Sequence, residues 1–183
     1  MKFKVLLLVF LFVSPVFGQY DGNVEEFVEY AKKWRKTSTA DGEFITFAIL
    51  GLNKKEAESN VLEKNVQASS FGVLQYKSIL DSSGEGHSIF VVEGLESKSK
   101  CNSSDSRLRK GISMVNNRII NGAKICSADG EWAYLIIEEN DVSFLVSQIL
   151  NHKVVYVNEY SFLTNGFLEA YKESESFKSV FGK

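Results

Sequence analysis

The chain has 183 residues, 44% of them hydrophobic and 24% charged, with a formal net charge of -2. That length supports one domain with a substantial core. A mildly acidic chain lacks the basic footprint of a nucleic-acid binder, and Lys32, Lys33, Arg35 and Lys36 sit beside Glu25, Glu26 and Glu29 as the solvated face of a helix would.

Residues 1–18 read as a secretory signal. Lys2 and Lys4 precede an apolar run from Val5 to Val13, Ser14-Pro15 breaks it, and Val16-Phe17-Gly18 offers small residues for a cut. The expected mature domain is 19–183, secreted or periplasmic, starting at Gln19. Removing Lys2 and Lys4 takes its charge from -2 to -4. No later stretch approaches the ~20 apolar residues of a spanning helix, so no membrane span is expected.

Val24, Phe27, Val28, Ala31 and Trp34 share one face of an expected helix over 23–36, followed by a polar connection over 37–42. Residues 43–50 change to a period of two with apolar residues on both sides, the pattern of a central strand that Gly51 would end. A thin-faced helix is expected over 53–65, capped by Asn53. Strands over 71–80 and 88–92 flank the turn Ser82-Ser83-Gly84-Glu85-Gly86, giving a hairpin. Residues 97–106 form a serine-rich surface loop carrying the glycosylation sequon Asn102-Ser103-Ser104.

Segment 112–120 has no clear assignment. Strands over 124–127 and 131–137 flank Ala128-Asp129-Gly130, a tight-turn signal. A helix capped by Asp141 runs to about Leu150, 154–157 reads as a short buried strand, and 164–174 as a last helix. The expected fold class is α+β: a single domain with a mostly antiparallel sheet and helices packed on it.

Cys101 and Cys126 are the two cysteines, and in an oxidising compartment the simplest expectation is one disulfide. Closing a loop of about 26 residues stabilises by roughly 3.5 kcal/mol in the chain-entropy model.

Chemistry-bearing motifs are sparse. Gly84-Glu85-Gly86-His87 joins two strands, so no helix N-terminus supports phosphate binding there, and a turn with an exposed histidine is the better reading. Only His87 and His152 can serve as a neutral-pH base, and no serine lies in a nucleophile elbow. Glu138 and Glu139 are strand neighbours that point apart, and with Asp141 they lack the pattern of a calcium loop. No catalytic set, metal site or cofactor is expected.

Short motifs resemble the C-terminal half of the invasion-associated locus B family. They are Gly111-Ile112-Ser113, Cys126 with Ala128-Asp129-Gly130, and Gly166-Phe167 with Ala170. A second cysteine beside Gly130 is missing, the opening helix has no counterpart, and no function is carried over.

These features point to an exported, non-enzymatic binding protein whose partner is a protein or a small apolar ligand. The alternatives are a hydrolase of envelope or host polymers and an inhibitor or immunity protein that blocks a secreted enzyme. Aromatic anchors give large contact area with few rotatable bonds. Tyr160, Phe162 and Phe177 lie outside the expected elements and are therefore the expected exposed binding residues.

Overall fold

Nine strands and two helices lie within the residues that the computed structural model describes: 31–40, 44–53, 71–81, 83–94, 101–102, 104, 107–127, 130 and 132–182. In chain order they are β1 (Arg35–Ala40), β2 (Phe44–Asn53), β3 (Phe71–Leu80), β4 (Gly86–Gly94), β5 (Arg109–Val115), β6 (Arg118–Cys126) and β7 (Trp132–Ile136). Helix α1 (Glu139–Asn151), strands β8 (Val154–Val157) and β9 (Tyr160–Leu163), and helix α2 (Phe167–Phe181) follow.

The strands pair antiparallel in the order β1-β2-β3-β4-β7-β6-β5-β8-β9, and β9 returns to β2. Eight strands, β2 to β9, therefore close into a barrel, with β1 outside the ring. β2 has ten residues and serves two partners on one edge. Its first half pairs with β1, and its last two residues pair with Ser161 and Tyr160 of β9. Closure removes the open edges that a flat sheet would present.

This corrects the α+β expectation. The antiparallel pairing is present, but the sheet is a closed barrel rather than a platform for packed helices, and the described residues are mostly β. Two strands differ from expectation. The sequence pattern places 35–36 in a helix and 37–42 in a connection, whereas β1 occupies 35–40. β9 had no assignment, and it is the strand that closes the ring.

The inward faces follow the two-residue period of strands. Ile45, Phe47 and Ile49, then Leu74 and Tyr76, Phe90 and Val92, Val155 and Val157, and Tyr160 and Phe162 all face one core. Val142, Leu145, Val146 and Ile149 of α1 and Phe167, Ala170 and Phe177 of α2 join that same cluster. Phe167 sits 5.4 Å from the Tyr76 ring and 6.2 Å from the Phe90 ring, centroid to centroid. The Ser78 and Ser174 hydroxyls bond each other where α2 lies on β3, and Ser88 continues the chain to the Tyr76 hydroxyl.

Glycine decides how β9 fits. The register sets Gly51 opposite Gly72 and Gly72 opposite Gly94. A Cβ on Gly51 would overlap the Phe162 ring, and one on Gly72 would overlap the Tyr160 ring. Gly51 therefore does not end β2, as its composition implied. It lets an aromatic strand lie close on the sheet.

Three further expectations change. Asp141 does not cap α1: Glu138 is the N-cap, without a side-chain cap bond, and Asp141 lies in the first turn, 3.4 Å from Arg118. The last helix starts later and runs further than 164–174, because Gly166 adopts φ 80 as its N-cap and the apolar face continues to Phe177. Segment 112–120 is the heart of a β5–β6 hairpin, whose two-residue turn is Asn116-Asn117 at φ 45 and 69. Asn53, the expected cap of a helix over 53–65, is instead the last residue of β2, and the rest of that helix and the expected signal over 1–18 lie outside the described residues.

The outward faces of β2, β3 and β4 are also buried, including the polar residues Thr46, Gln75 and Lys77. Burial pushes the Lys77 amine down from its ordinary value, and the Glu93 charge opposes this only in part. A lysine whose folded pKa is depressed binds fewer protons folded than unfolded. Its contribution therefore improves as pH rises from the depressed value to the ordinary one near 10.5, and is constant above that. Lys77→Met should raise the melting temperature at pH 7 by about 2–4 °C, the shift for roughly 1 kcal/mol in a chain of this size. Scanning calorimetry of both proteins checks it. An equal or lower value for the variant would show that the ammonium is fully compensated.

Candidate functional site

Tyr160, Phe162 and Phe177 are not exposed. Their relative exposures are 4%, 0% and 6%, and all three belong to the barrel core. The expectation of surface aromatic anchors is corrected on that ground: two of them sit on the glycine row and the third lies in α2. Among the described residues the exposed large apolar side chains include Ile112, Met114 and Ile119 of the β5–β6 hairpin, alongside Leu150, Leu163, Leu168 and Val180.

One of the three expected residues does border a cavity. Tyr160 forms part of a cleft of about 210 Å³ with Val92, Ile112, Trp132, Tyr134 and Glu159. Its origin is topological. β5 pairs with β8 only at Val115–Val157. One residue further, Asn158 fastens the β8–β9 turn to β5: its side-chain oxygen accepts from the Met114 N–H at 2.9 Å, and its own N–H donates to the Met114 carbonyl at 2.7 Å. Asn158 holds φ 54, a backbone region that asparagine tolerates better than most residues. β8 ends at Val157, so the rest of β5 has no β8 partner, and the cleft lies beside that stretch. Tyr134 and Trp132 face that cleft from β7, in register with Lys124 and Cys126 of β6.

The electrostatics of the mouth are mixed. The Lys124 ammonium lies 4.4 Å from the Trp132 ring centroid and the Arg109 guanidinium 5.3 Å from it. Such contacts hold a cation over a ring by about 0.5–1 kcal/mol each at exposed sites. Glu159 contributes the opposite charge at the other lip. The mouth thus offers the half-buried Trp132 and Tyr134 rings beside the polar Asn158 and Glu159, with charge at its rim. It presents no nucleophile paired with a base.

A second, more open groove of about 420 Å³ lies beside the Asn116-Asn117 turn, with Gln148, His152 and Tyr156. The Asn116 and Gln148 amides are already used. The Asn116 side chain donates to Gln148 at 2.9 Å and accepts from the Tyr156 N–H at 2.9 Å, and the His152 Nδ1 lies 2.9 Å from the Gln148 carbonyl. This groove fastens the hairpin to α1.

The β3–β4 turn is an ordered turn carrying an exposed histidine, as the sequence implied. Asp81 Oδ1 accepts the backbone N–H groups of Ser83 at 2.8 Å and Glu85 at 2.9 Å. The Ser83 hydroxyl bond and then the Glu85 N–H hold the Asp81 carboxyl down to about 2. His87 Nε2 lies 3.5 Å from Asp81 Oδ2. Glu85 and His87 stand out in the sequence as neighbours, and the turn brings Asp81 to them.

Cys101 and Cys126 form a disulfide with Cα atoms 5.8 Å apart, as expected. The Cys101 N–H also donates to the Gly130 carbonyl at 2.8 Å, so Cys101 is fastened twice to the β6–β7 end. No described helix is long and apolar enough to cross a membrane.

No family model, no curated protein and no solved structure matches this chain.

Proposed function

We propose that this protein is an exported, non-enzymatic binding protein, and that its ligand is a small, largely apolar molecule seated in the barrel mouth. The observation that carries the reading is the cleft beside the stretch of β5 without a β8 partner, lined by Trp132, Tyr134, Tyr160, Val92 and Ile112. An apolar ligand there would cover the half-buried Trp132 and Tyr134 rings, at about 25 cal/mol per Å² of apolar surface removed, while Tyr160 and Val92 are already buried. The disulfide fits an oxidising compartment outside the cytosol. Among the described residues His87 faces Asp81 and His152 faces a backbone carbonyl, so neither is set against a nucleophile.

The chain has two tryptophans, and Trp34 is buried in the core while Trp132 lines the mouth. Titration with anilinonaphthalene sulfonate, an aromatic probe, should change Trp132 emission in a saturable manner with one probe per chain. Trp132→Ala should weaken probe binding by about tenfold or more, in line with the ~1.4 kcal/mol or greater cost of losing an aromatic anchor. The far-ultraviolet spectrum should not change. Non-saturable binding, or binding unaffected in Trp132→Ala, would refute the assignment.

A further inference from the structure

We propose that Asp81, Glu85 and His87 form a binding site for a single divalent transition-metal ion, with Zn²⁺ the best fit. Asp81 directly follows β3, Glu85 lies in the turn and His87 is the second residue of β4. The turn brings one ligand atom from each to within 4.8 Å of the others.

The ligand chemistry is specific. Two carboxylate oxygens and one imidazole nitrogen suit Zn²⁺, whereas Ca²⁺ and Mg²⁺ take oxygen ligands alone. Zn–O and Zn–N bonds of about 2.0–2.2 Å in a tetrahedron put neighbouring ligand atoms about 3.4 Å apart. Asp81 Oδ2 and His87 Nε2 are already separated by 3.5 Å. Glu85 is exposed and closes the remaining distance by side-chain rotation. A fourth position faces solvent and is available to water.

Asp81 is preorganised for this role. Its Oδ1 is committed to the Ser83 and Glu85 N–H groups, which fixes the carboxylate and leaves Oδ2 toward His87. The backbone closes the same turn through Asp81 N–H to the Glu85 carbonyl and Gly84 N–H to the Asp81 carbonyl, both at 2.9 Å. A second element contributes independently. Gly182, the C-cap of α2, packs against the Gly84 carbonyl, so the negative end of a 15-residue helix lies at this turn. Lys178, in the last turn of α2, lies with its side-chain stem against Gly86, and its ammonium is paired with Glu175 at 2.7 Å.

The turn and the barrel mouth are at opposite ends of β4. Eight residue steps of about 3.3 Å separate Gly86 from Gly94, or roughly 26 Å. The metal proposal therefore stands or falls apart from the ligand proposal.

The test is calorimetric titration of chelator-treated protein with ZnCl₂. One Zn²⁺ per chain is expected, together with a Zn²⁺-dependent rise in melting temperature. His87→Ala should weaken binding at least tenfold and abolish the rise, while its metal-free melting temperature matches the parent. Glu85→Gln should weaken binding less, His152→Ala should bind as the parent does, and Mg²⁺ should bind at least tenfold more weakly than Zn²⁺. Absence of saturable Zn²⁺ binding, unchanged affinity in His87→Ala, loss of binding in His152→Ala, or equal affinity for Mg²⁺ and Zn²⁺ would each overturn the proposal.

Discussion

Phe162→Ala should lower stability by about 3–5 kcal/mol, the range for removing a fully buried phenylalanine, and the melting temperature by roughly 6–20 °C. Phe162 is 0% exposed, belongs to the central core and sits on Gly51 at the β2–β9 seam. Its loss opens a cavity and weakens the contact that closes the ring, which joins β2 and β9 at only Leu52–Ser161 and Asn53–Tyr160. Tyr160→Ala should act in the same direction through Gly72. Denaturant unfolding measures both. A variant of normal stability would mean that β9 does not hold the barrel shut.

The second large effect is at the disulfide. Cys101→Ser with Cys126→Ser should cost about 2–5 kcal/mol, around the roughly 3.5 kcal/mol set by loop length. The Cys101 N–H bond to Gly130 remains in the variant, but it is a single bond worth about 1 kcal/mol and does not restrict the unfolded chain. The difference should vanish when both proteins are unfolded under reducing conditions. A difference that persists with reductant would place the effect in side-chain packing rather than in the cross-link.

Elements whose signal is local were legible in the sequence. β3 was read residue for residue, and β4, β7 and β8 to within two residues, because alternation and turn chemistry act over a few positions. The disulfide was legible from compartment and count. Closure was not, because it depends on a relation between distant segments. Gly51, Gly72 and Gly94 are far apart in the chain, and only the register makes them one row under Tyr160 and Phe162. Read alone, Gly51 looks like a strand end.

Some missed features did leave a trace. Tyr160-Ser161-Phe162-Leu163 alternates as a strand should, but four residues are too few to stand out, and its aromatics were read as a contact surface. Phe177 lies at helical spacing from Phe167, Ala170 and Ser174, so the last helix could have been extended. The Asn116-Asn117 turn was overlooked because its second residue is not the usual glycine. The mouth had no local trace. It arises from β5 pairing with β8 at one residue pair, a fact of register alone.

Resonance-by-resonance chemical-shift mapping of the anilinonaphthalene sulfonate complex tests the binding reading most directly. The largest changes should fall on the Trp132 indole, Tyr134, Tyr160 and Val92, which share the mouth. Changes centred on Met114 and Ile119, which are exposed on the outer face of the hairpin, would contradict it and move the contact surface outside the barrel.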